Sequence, residues 1–171
     1  MKKKVLIVVL IVVLIVIGVV YFKNNSKESK NVLESDNKIL VVYFSAQGHT
    51  DIVAKQIAKN LNASIFEIEP VDVYTQEDLN YSNSSSRVSK EHNDKSLQNV
   101  KLKETRVENF DSYDTILIGY PIWWGVAAWP VNTFVQANDF TNKTVIPFCT
   151  SASSGLGQSG ENLSKIANSG N

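Results

Sequence analysis

The chain has 171 residues, with 17 basic and 17 acidic side chains, and therefore a formal net charge of zero. This length fits one domain and is too short for two domains with separate cores. The single cysteine, Cys149, excludes an internal disulfide and a cysteine-based metal site.

Residues 1–22 predict a transmembrane helix. A basic start, Met1 to Lys4, precedes an almost pure Val, Ile and Leu run from Val5 to Phe22. At about 1.5 Å per residue this run is roughly 27 Å long, close to the hydrocarbon thickness of a bilayer. A cleaved signal peptide is the alternative, but its apolar region is usually shorter and ends in small residues. We therefore expect an uncleaved single-pass anchor in the cell membrane.

Residues 23–37 form a polar linker, and a domain follows over residues 38–171. Three lysines and the terminal amine precede the apolar run and three lysines lie in the linker, which slightly favours an inside N-terminus and a domain outside the cytoplasm. The domain itself has 11 basic and 14 acidic side chains, a net charge of −3. This mild acidity argues against a nucleic-acid partner.

Strands and helices alternate along the domain. Apolar runs predict four strands, and helical spacing of apolar residues predicts the helices between them. The predicted strands are Ile39–Phe44, Ser64–Glu69, Thr115–Gly119 and Thr144–Cys149. The predicted helices are residues 50–62, 130–138 and 161–168, with a further helix near residues 86–97.

This alternation predicts an α/β fold with a parallel sheet that is covered on both faces. Ligands of such sheets bind at the carboxyl ends of the strands, where the strand order reverses. The chemistry should therefore follow Phe44, Gly119 and Cys149. Residues 70–110 form an insertion longer than an ordinary crossover, so part of it is expected to be a lid or a flank of the site.

The first of these loops is Ser45-Ala46-Gln47-Gly48-His49-Thr50, between the first strand and a helix. The helix start has unpaired N–H groups and a partial positive charge, and Gly48 lets the backbone approach a ligand. The loop lacks the lysine of a nucleotide-triphosphate loop and the three glycines of a dinucleotide loop. It predicts a site for a terminal phosphate; the alternative is an ordinary turn in which Ser45 or Thr50 caps the helix.

The second loop is Gly119-Tyr120-Pro121-Ile122-Trp123-Trp124-Gly125. Two adjacent tryptophans cannot both face one core, so at least one should line a pocket or lie at the surface. Large flat rings at a strand end suit contact with a planar ligand. The alternative is packing over the edge of the sheet or a partner surface.

The third loop, residues 150–160, is rich in hydroxyl donors and small residues. These residues allow close approach of the backbone to the polar edge of a ring. Taken alone, this loop would be read as a flexible polar segment. Together, however, the three loops describe a phosphate, a planar ring and the ring's polar edge, which is a description of flavin mononucleotide (FMN).

With these three loops the sequence resembles the flavodoxin family. The phosphate loop Ser45-x-x-Gly48-x-Thr50 matches, and Gly119–Gly125 and Pro147–Ser151 are similar to the segments that flank the flavin. The resemblance covers residues 38–171 and implies a flavodoxin-like doubly wound parallel sheet. In the general flavodoxin topology the strand order is 2-1-3-4-5, with FMN at the switch point.

The resemblance implies a set of cofactor-binding residues, and no catalytic or metal-binding residue is assigned. Ser45, Gln47, Gly48, His49 and Thr50 would hold the phosphate. The isoalloxazine would lie along the segment Pro121, Ile122, Trp123, Trp124 and Gly125. Its other edge would approach Thr150, Ser151, Ser154 and Gly155.

In one respect the sequence departs from the family. Nothing after Gly160 has the pattern of a strand, so we expect a sheet of order 2-1-3-4 without the fifth strand. An uncovered edge next to the last loop would lower stability and favour association.

Three functions are compatible with these residues. The favoured one is a flavodoxin-like redox protein that carries electrons at the membrane, with a redox partner protein or a small electron acceptor. A carrier needs no proton-donor pair, and none is evident. The alternatives are an FMN-dependent NAD(P)H:quinone-type oxidoreductase, and a shortened domain that no longer binds flavin.

Overall fold

The computed structural model describes residues 38–169, which form an α/β fold around one sheet. The strands are β1 (Ile39–Tyr43), β2 (Ser64–Glu67), β3 (Thr115–Trp123), β4 (Val126–Ala127) and β5 (Thr144–Thr150). The helices are α1 (His49–Leu61), α2 (Arg87–Asn93), α3 (Trp129–Gln136) and α4 (Ser159–Ser169). Two short 3₁₀ turns, Lys95–Gln98 and Phe110–Ser112, lie between α2 and β3.

Four strands of the sheet are parallel, in the order β2-β1-β3-β5. This confirms the predicted parallel α/β sheet and the predicted order of its four long strands. The sheet has a fifth strand, so the expectation of only four strands is wrong: β4 is a two-residue strand that pairs antiparallel with the end of β3. No strand follows β5 within residues 38–169, as the sequence predicted for the residues after Gly160. Glycine and proline suggested a loop at residues 119–125, but β3 runs on to Trp123 and turns back there.

Alternate residues of the strands point to two cores, as expected for a sheet covered on both faces. Leu40, Val42, Ile116 and Ile118 belong to the larger cluster, which includes residues of α3 and α4. On the opposite face, the smaller cluster joins strand residues to two small side chains of α1. The strand residues of that cluster are Val41, Tyr43 and Leu117, and the helix residues are Ala54 and Ala58.

The insertion between β2 and β3 begins and ends at one point. Pro70 forms an antiparallel bridge with Leu102, and the Val71 amide donates to the Lys101 carbonyl at 2.9 Å. The intervening residues include α2, which is shorter than the predicted helix and is followed by a 3₁₀ turn. These bonds therefore close the base of the insertion.

The predicted anchor, residues 1–22, and the predicted linker, residues 23–37, lie outside the described residues. Among the helices within residues 38–169, none is both long enough and apolar enough to cross a bilayer.

Gly119→Ala should destabilise the fold, because β5 places an aromatic ring directly over Gly119. A Cβ atom there would lie 2.2 Å from Cζ of Phe148, so the ring would have to move. We expect a loss of about 1–3 kcal/mol in the free energy of unfolding, measured by urea denaturation. Phe148→Leu, which removes the clashing ring atoms, should recover part of this loss in the double variant. Strict additivity of the two changes would contradict this account.

Candidate functional site

The parallel register brings the ends of three strands to one edge of the sheet. Tyr43 at the end of β1 lies opposite Gly119, and Pro121 on β3 lies opposite Thr150 at the end of β5. The segments after these positions line a cavity of about 700 Å³. The site is therefore where the sequence predicted it, at the carboxyl ends of the parallel strands.

The first wall of the cavity is the turn from β1 into α1. Gly48 adopts a φ of 85° and caps α1 without a side-chain hydrogen bond. The first N–H groups of a helix have no acceptor within the helix, so they remain available at this turn. Ser45 Oγ is buried and, among the described residues, lacks any hydrogen-bond partner.

Thr50 ties the first wall to the third. Its side chain is almost fully buried, and its Oγ1 lies 2.8 Å from Oγ1 of Thr150 at the end of β5. This hydroxyl pair joins the first turn of α1 to β5 across the sheet edge. The alternative in which Ser45 or Thr50 caps the helix is not what the structure shows, because Gly48 occupies the capping position.

The second wall is a tight hairpin. Trp124 and Gly125 connect β3 to β4 with φ values of 48° and 80°, the signs required by a two-residue type I′ turn. Trp123 is partly buried in edge-on contact with Phe44 and Tyr74, at centroid distances of 5.7 and 5.1 Å. Trp124 is 42% exposed. Both indoles line the cavity.

The third wall is shorter than predicted. Thr150 and Ser151 line the cavity, together with Ala152. The Ser154 amide donates to Ser151 Oγ at 2.9 Å, which closes a small turn after Ala152. This turn explains why Ser154 and the following Gly155 are not among the lining residues.

Ten of the fourteen predicted positions line the cavity and four do not. The ten are Ser45, Gln47, His49, Thr50, Pro121, Ile122, Trp123, Trp124, Thr150 and Ser151. Gly48 and Gly125, which shape the two tight turns, are not in the lining, and neither are Ser154 and Gly155.

A further wall comes from the insertion and was not predicted residue by residue. Leu79, Tyr81 and Val88 line the cavity from this side, and Tyr81 is 77% exposed. The unusual length of the insertion indicated a flank of the site. The positions themselves carried no signal, because the polar sequence around Tyr81 lacks apolar periodicity.

A buried carboxylate holds the insertion in place. Glu91 on α2 is 5% exposed and accepts hydrogen bonds from Tyr74 (2.8 Å), Trp129 Nε1 (2.9 Å) and Arg87 Nε (2.8 Å). Arg87 also lies 3.9 Å over the ring of Tyr74. Burial and the bond to Glu91 raise the pKa of Tyr74, so its phenol remains a neutral donor. The arrangement connects the insertion to the core at Trp129.

The lining of the cavity carries no carboxylate, amine or guanidinium among the described residues; its titratable groups are His49 and Tyr81. No cluster of three or more potential metal-ligating side chains occurs within residues 38–169. The site thus offers hydroxyls, backbone groups and aromatic surface, which suit a ligand with a phosphate and a planar ring.

The flavodoxin family model matches residues 38–170. Two crystal structures provisionally described as flavoproteins are similar to the chain. The one from Bacteroides eggerthii is 39% identical with a TM-score of 0.71, and the alignment covers 76% of this chain and 80% of that one. The one from Bacteroides uniformis is 41% identical with a TM-score of 0.70, covering 75% and 81%.

A third structure shares the fold at lower identity. It is a flavoprotein from Lactobacillus acidophilus in complex with FMN, 22% identical with a TM-score of 0.56, covering 77% of this chain and 87% of that one. No curated protein matches the chain.

Glu91→Gln should weaken the connection between the insertion and the core. The amide keeps the size of the side chain but replaces one acceptor oxygen with a donor, in a place where three donors converge. We expect a loss of about 1–3 kcal/mol in the free energy of unfolding, measured by urea denaturation. The exposed Glu77→Gln in the same insertion is the control and should stay within about 0.5 kcal/mol of wild type. Equal effects of the two changes would refute the anchoring role of Glu91.

Proposed function

We propose that this chain binds FMN and acts as a redox protein, because it belongs to the flavodoxin family and its site suits that cofactor. The observation that carries the proposal is the buried, unpartnered Ser45 Oγ beside a helix start that no side chain caps. A buried hydroxyl without a partner is costly, and a phosphate oxygen would satisfy it.

The turn from β1 into α1 would hold the phosphate. Ser45 and Thr50 offer hydroxyls, and the first turn of α1 offers N–H groups with a favourable dipole. Gly48 would approach the ligand with its backbone alone. Apart from Gly48 and its two chain neighbours, no atom of the described residues lies within 4 Å of the place that a Cβ atom of residue 48 would occupy. By the family resemblance Gln47 and His49 would also hold the phosphate, and both line the cavity.

The other walls would hold the ring. Pro121, Ile122 and the two indoles supply a flat apolar surface, while Thr150 and Ser151 supply polar groups on the opposite side. When bound, FMN would supply the electron-transfer chemistry, and the protein tunes it through contacts and charge near the ring. The scarcity of titratable groups in the lining favours an electron carrier over an enzyme that needs a proton donor.

The anchor and the partner belong to the proposal on sequence grounds alone. Residues 1–22 would tether the domain to the cell membrane, with the domain outside the cytoplasm. The electron partner would be another protein or a small acceptor. The residues of the tether lie outside the described part of the chain.

Ser45→Ala should weaken the binding of FMN. A hydrogen bond to a charged group is worth about 1.5–3 kcal/mol, so we expect the dissociation constant to rise about 10- to 100-fold. The measurement is a titration of FMN fluorescence with the full chain in mild detergent. Ser112→Ala is the matched control, because Ser112 is exposed and precedes β3, at the opposite end of the sheet. If the wild-type chain binds no FMN, the proposed function is wrong.

A second candidate function has one observation in its favour. The insertion adds an apolar wall of Leu79, Tyr81 and Val88 to a cavity of about 700 Å³, a volume typical of sites for substrate-sized ligands. Such a wall would suit an FMN-dependent NAD(P)H:quinone-type oxidoreductase.

The two functions predict different steady-state kinetics for the FMN-loaded chain. An electron carrier should oxidise NAD(P)H slowly even with a quinone present, because a carrier exchanges electrons with its partner and binds neither compound as a substrate. The enzyme should turn over rapidly, and Leu79→Ala should then raise KM for the quinone. Absorbance at the pyridine-nucleotide band follows both reactions, and fast oxidation by the wild-type chain would replace the carrier with the enzyme.

A further inference from the structure

Trp124 occupies an unfavourable backbone conformation at the edge of the cavity. Its φ of 48° is in the left-handed region, which bulky side chains rarely adopt. Its indole is 42% exposed and nevertheless forms part of the cavity wall. A backbone in such a conformation persists only where the surrounding structure holds it.

The neighbour with the closest ring contact is His92. The imidazole and the Trp124 indole stack at a centroid distance of 4.3 Å and an interplanar angle of 8°. The next contact, with Trp129, is looser, at 6.1 Å and 18°. The closest flat contact on the indole is therefore made by a residue of the insertion and not by the hairpin.

Hydrogen bonds to the neighbouring Glu91 fix the position of His92. The preceding residue, Glu91, is buried and accepts the bond from Trp129 Nε1 at 2.9 Å. The carbonyl of Glu91 accepts a further bond from Gln98 Nε2 at 2.9 Å. With this backbone fixed, the exposed His92 presents its ring to Trp124.

A second cavity gives Trp124 an alternative place to lie. It has a volume of about 320 Å³ and is lined by both His92 and Trp124 as well as by residues of α3 and α4. Trp124 therefore contributes to the lining of both cavities. Without the imidazole, the indole could move towards the smaller cavity and away from the larger one.

We propose that His92 is a positioning residue, whose ring holds the Trp124 indole at the wall of the larger cavity. This inference rests on the proposed function, because that cavity is the one assigned to FMN. An indole already held in place loses less conformational freedom when a planar ligand binds against it. Removal of the imidazole therefore weakens ligand binding without removing a group that touches the phosphate.

The test compares four full-length chains in mild detergent: wild type, His92→Ala, His92→Phe and Lys90→Ala. Phenylalanine keeps a flat ring, and Lys90 is an exposed residue of the same helix that serves as the control. We expect the dissociation constant for FMN to rise about two- to tenfold in His92→Ala. His92→Phe and Lys90→Ala should remain within about twofold of wild type.

A second readout needs no FMN. Acrylamide quenching of tryptophan emission reports mainly on Trp124, because Trp129 is 1% exposed and Trp123 is partly buried. The quenching constant of the ligand-free chain should rise in His92→Ala and stay near wild type in His92→Phe.

Two results would overturn the role of His92. One is wild-type behaviour of His92→Ala in both measurements, and the other is equal impairment of the alanine and phenylalanine variants. If the wild-type chain binds no FMN, the proposed function fails separately, and the quenching measurement still decides whether His92 holds Trp124.

Discussion

The in-register alignment of β1, β3 and β5 is the constraint on which the site depends. Parallel strands that end together bring their following segments to one place, although these segments lie far apart in sequence. The alignment has its own packing requirement, because Phe148 of β5 crosses over Gly119 of β3, where a side chain would clash. At the site itself, α1 and β5 are joined by the hydroxyl groups of Thr50 and Thr150, which lie 2.8 Å apart.

Glu91 holds the insertion against the rest of the fold. A buried carboxylate is costly unless it is paired and hydrogen-bonded, and here Arg87, Tyr74 and Trp129 all donate to it. The carboxylate faces the core while the adjacent His92 faces the hairpin. Two consecutive residues of a seven-residue helix thus connect the insertion to the body of the fold and to the aromatic wall.

The sequence predicted the parts of the site that depend on local signals. Gly48 and its flanking hydroxyls lie between a short apolar run and an amphipathic helix, and this pattern places them at a strand end without knowledge of the rest. Leu79, Tyr81 and Val88 could not be found in the same way, because their place depends on how Glu91 pairs across the core. Ser154 was predicted to line the site and does not. The Ser151 side chain closes a turn with the Ser154 amide, and nothing in this run of small residues indicated that turn. The extension of β3 was missed because a proline usually ends a strand. Pro121 is tolerated in β3 because it lies beyond Gly119, the last residue of β3 that pairs with β1.

The lining of the proposed phosphate site contains no lysine or arginine among the described residues. The attraction would come from the N–H groups and dipole of α1 and from hydroxyls. The first turn of α1 also carries Asp51, which would oppose an anion if its charge were free. Its carboxylate instead lies 2.7 Å from the Lys55 ammonium and accepts a bond from the Tyr43 hydroxyl at 2.5 Å. These two bonds lower the pKa of Asp51, so it stays ionised but paired and oriented towards β1. The proposed anion site would thus be kept by pairing a negative charge and not by adding a positive one, and fixed dipoles of this kind stay in place whatever the redox state of the ligand.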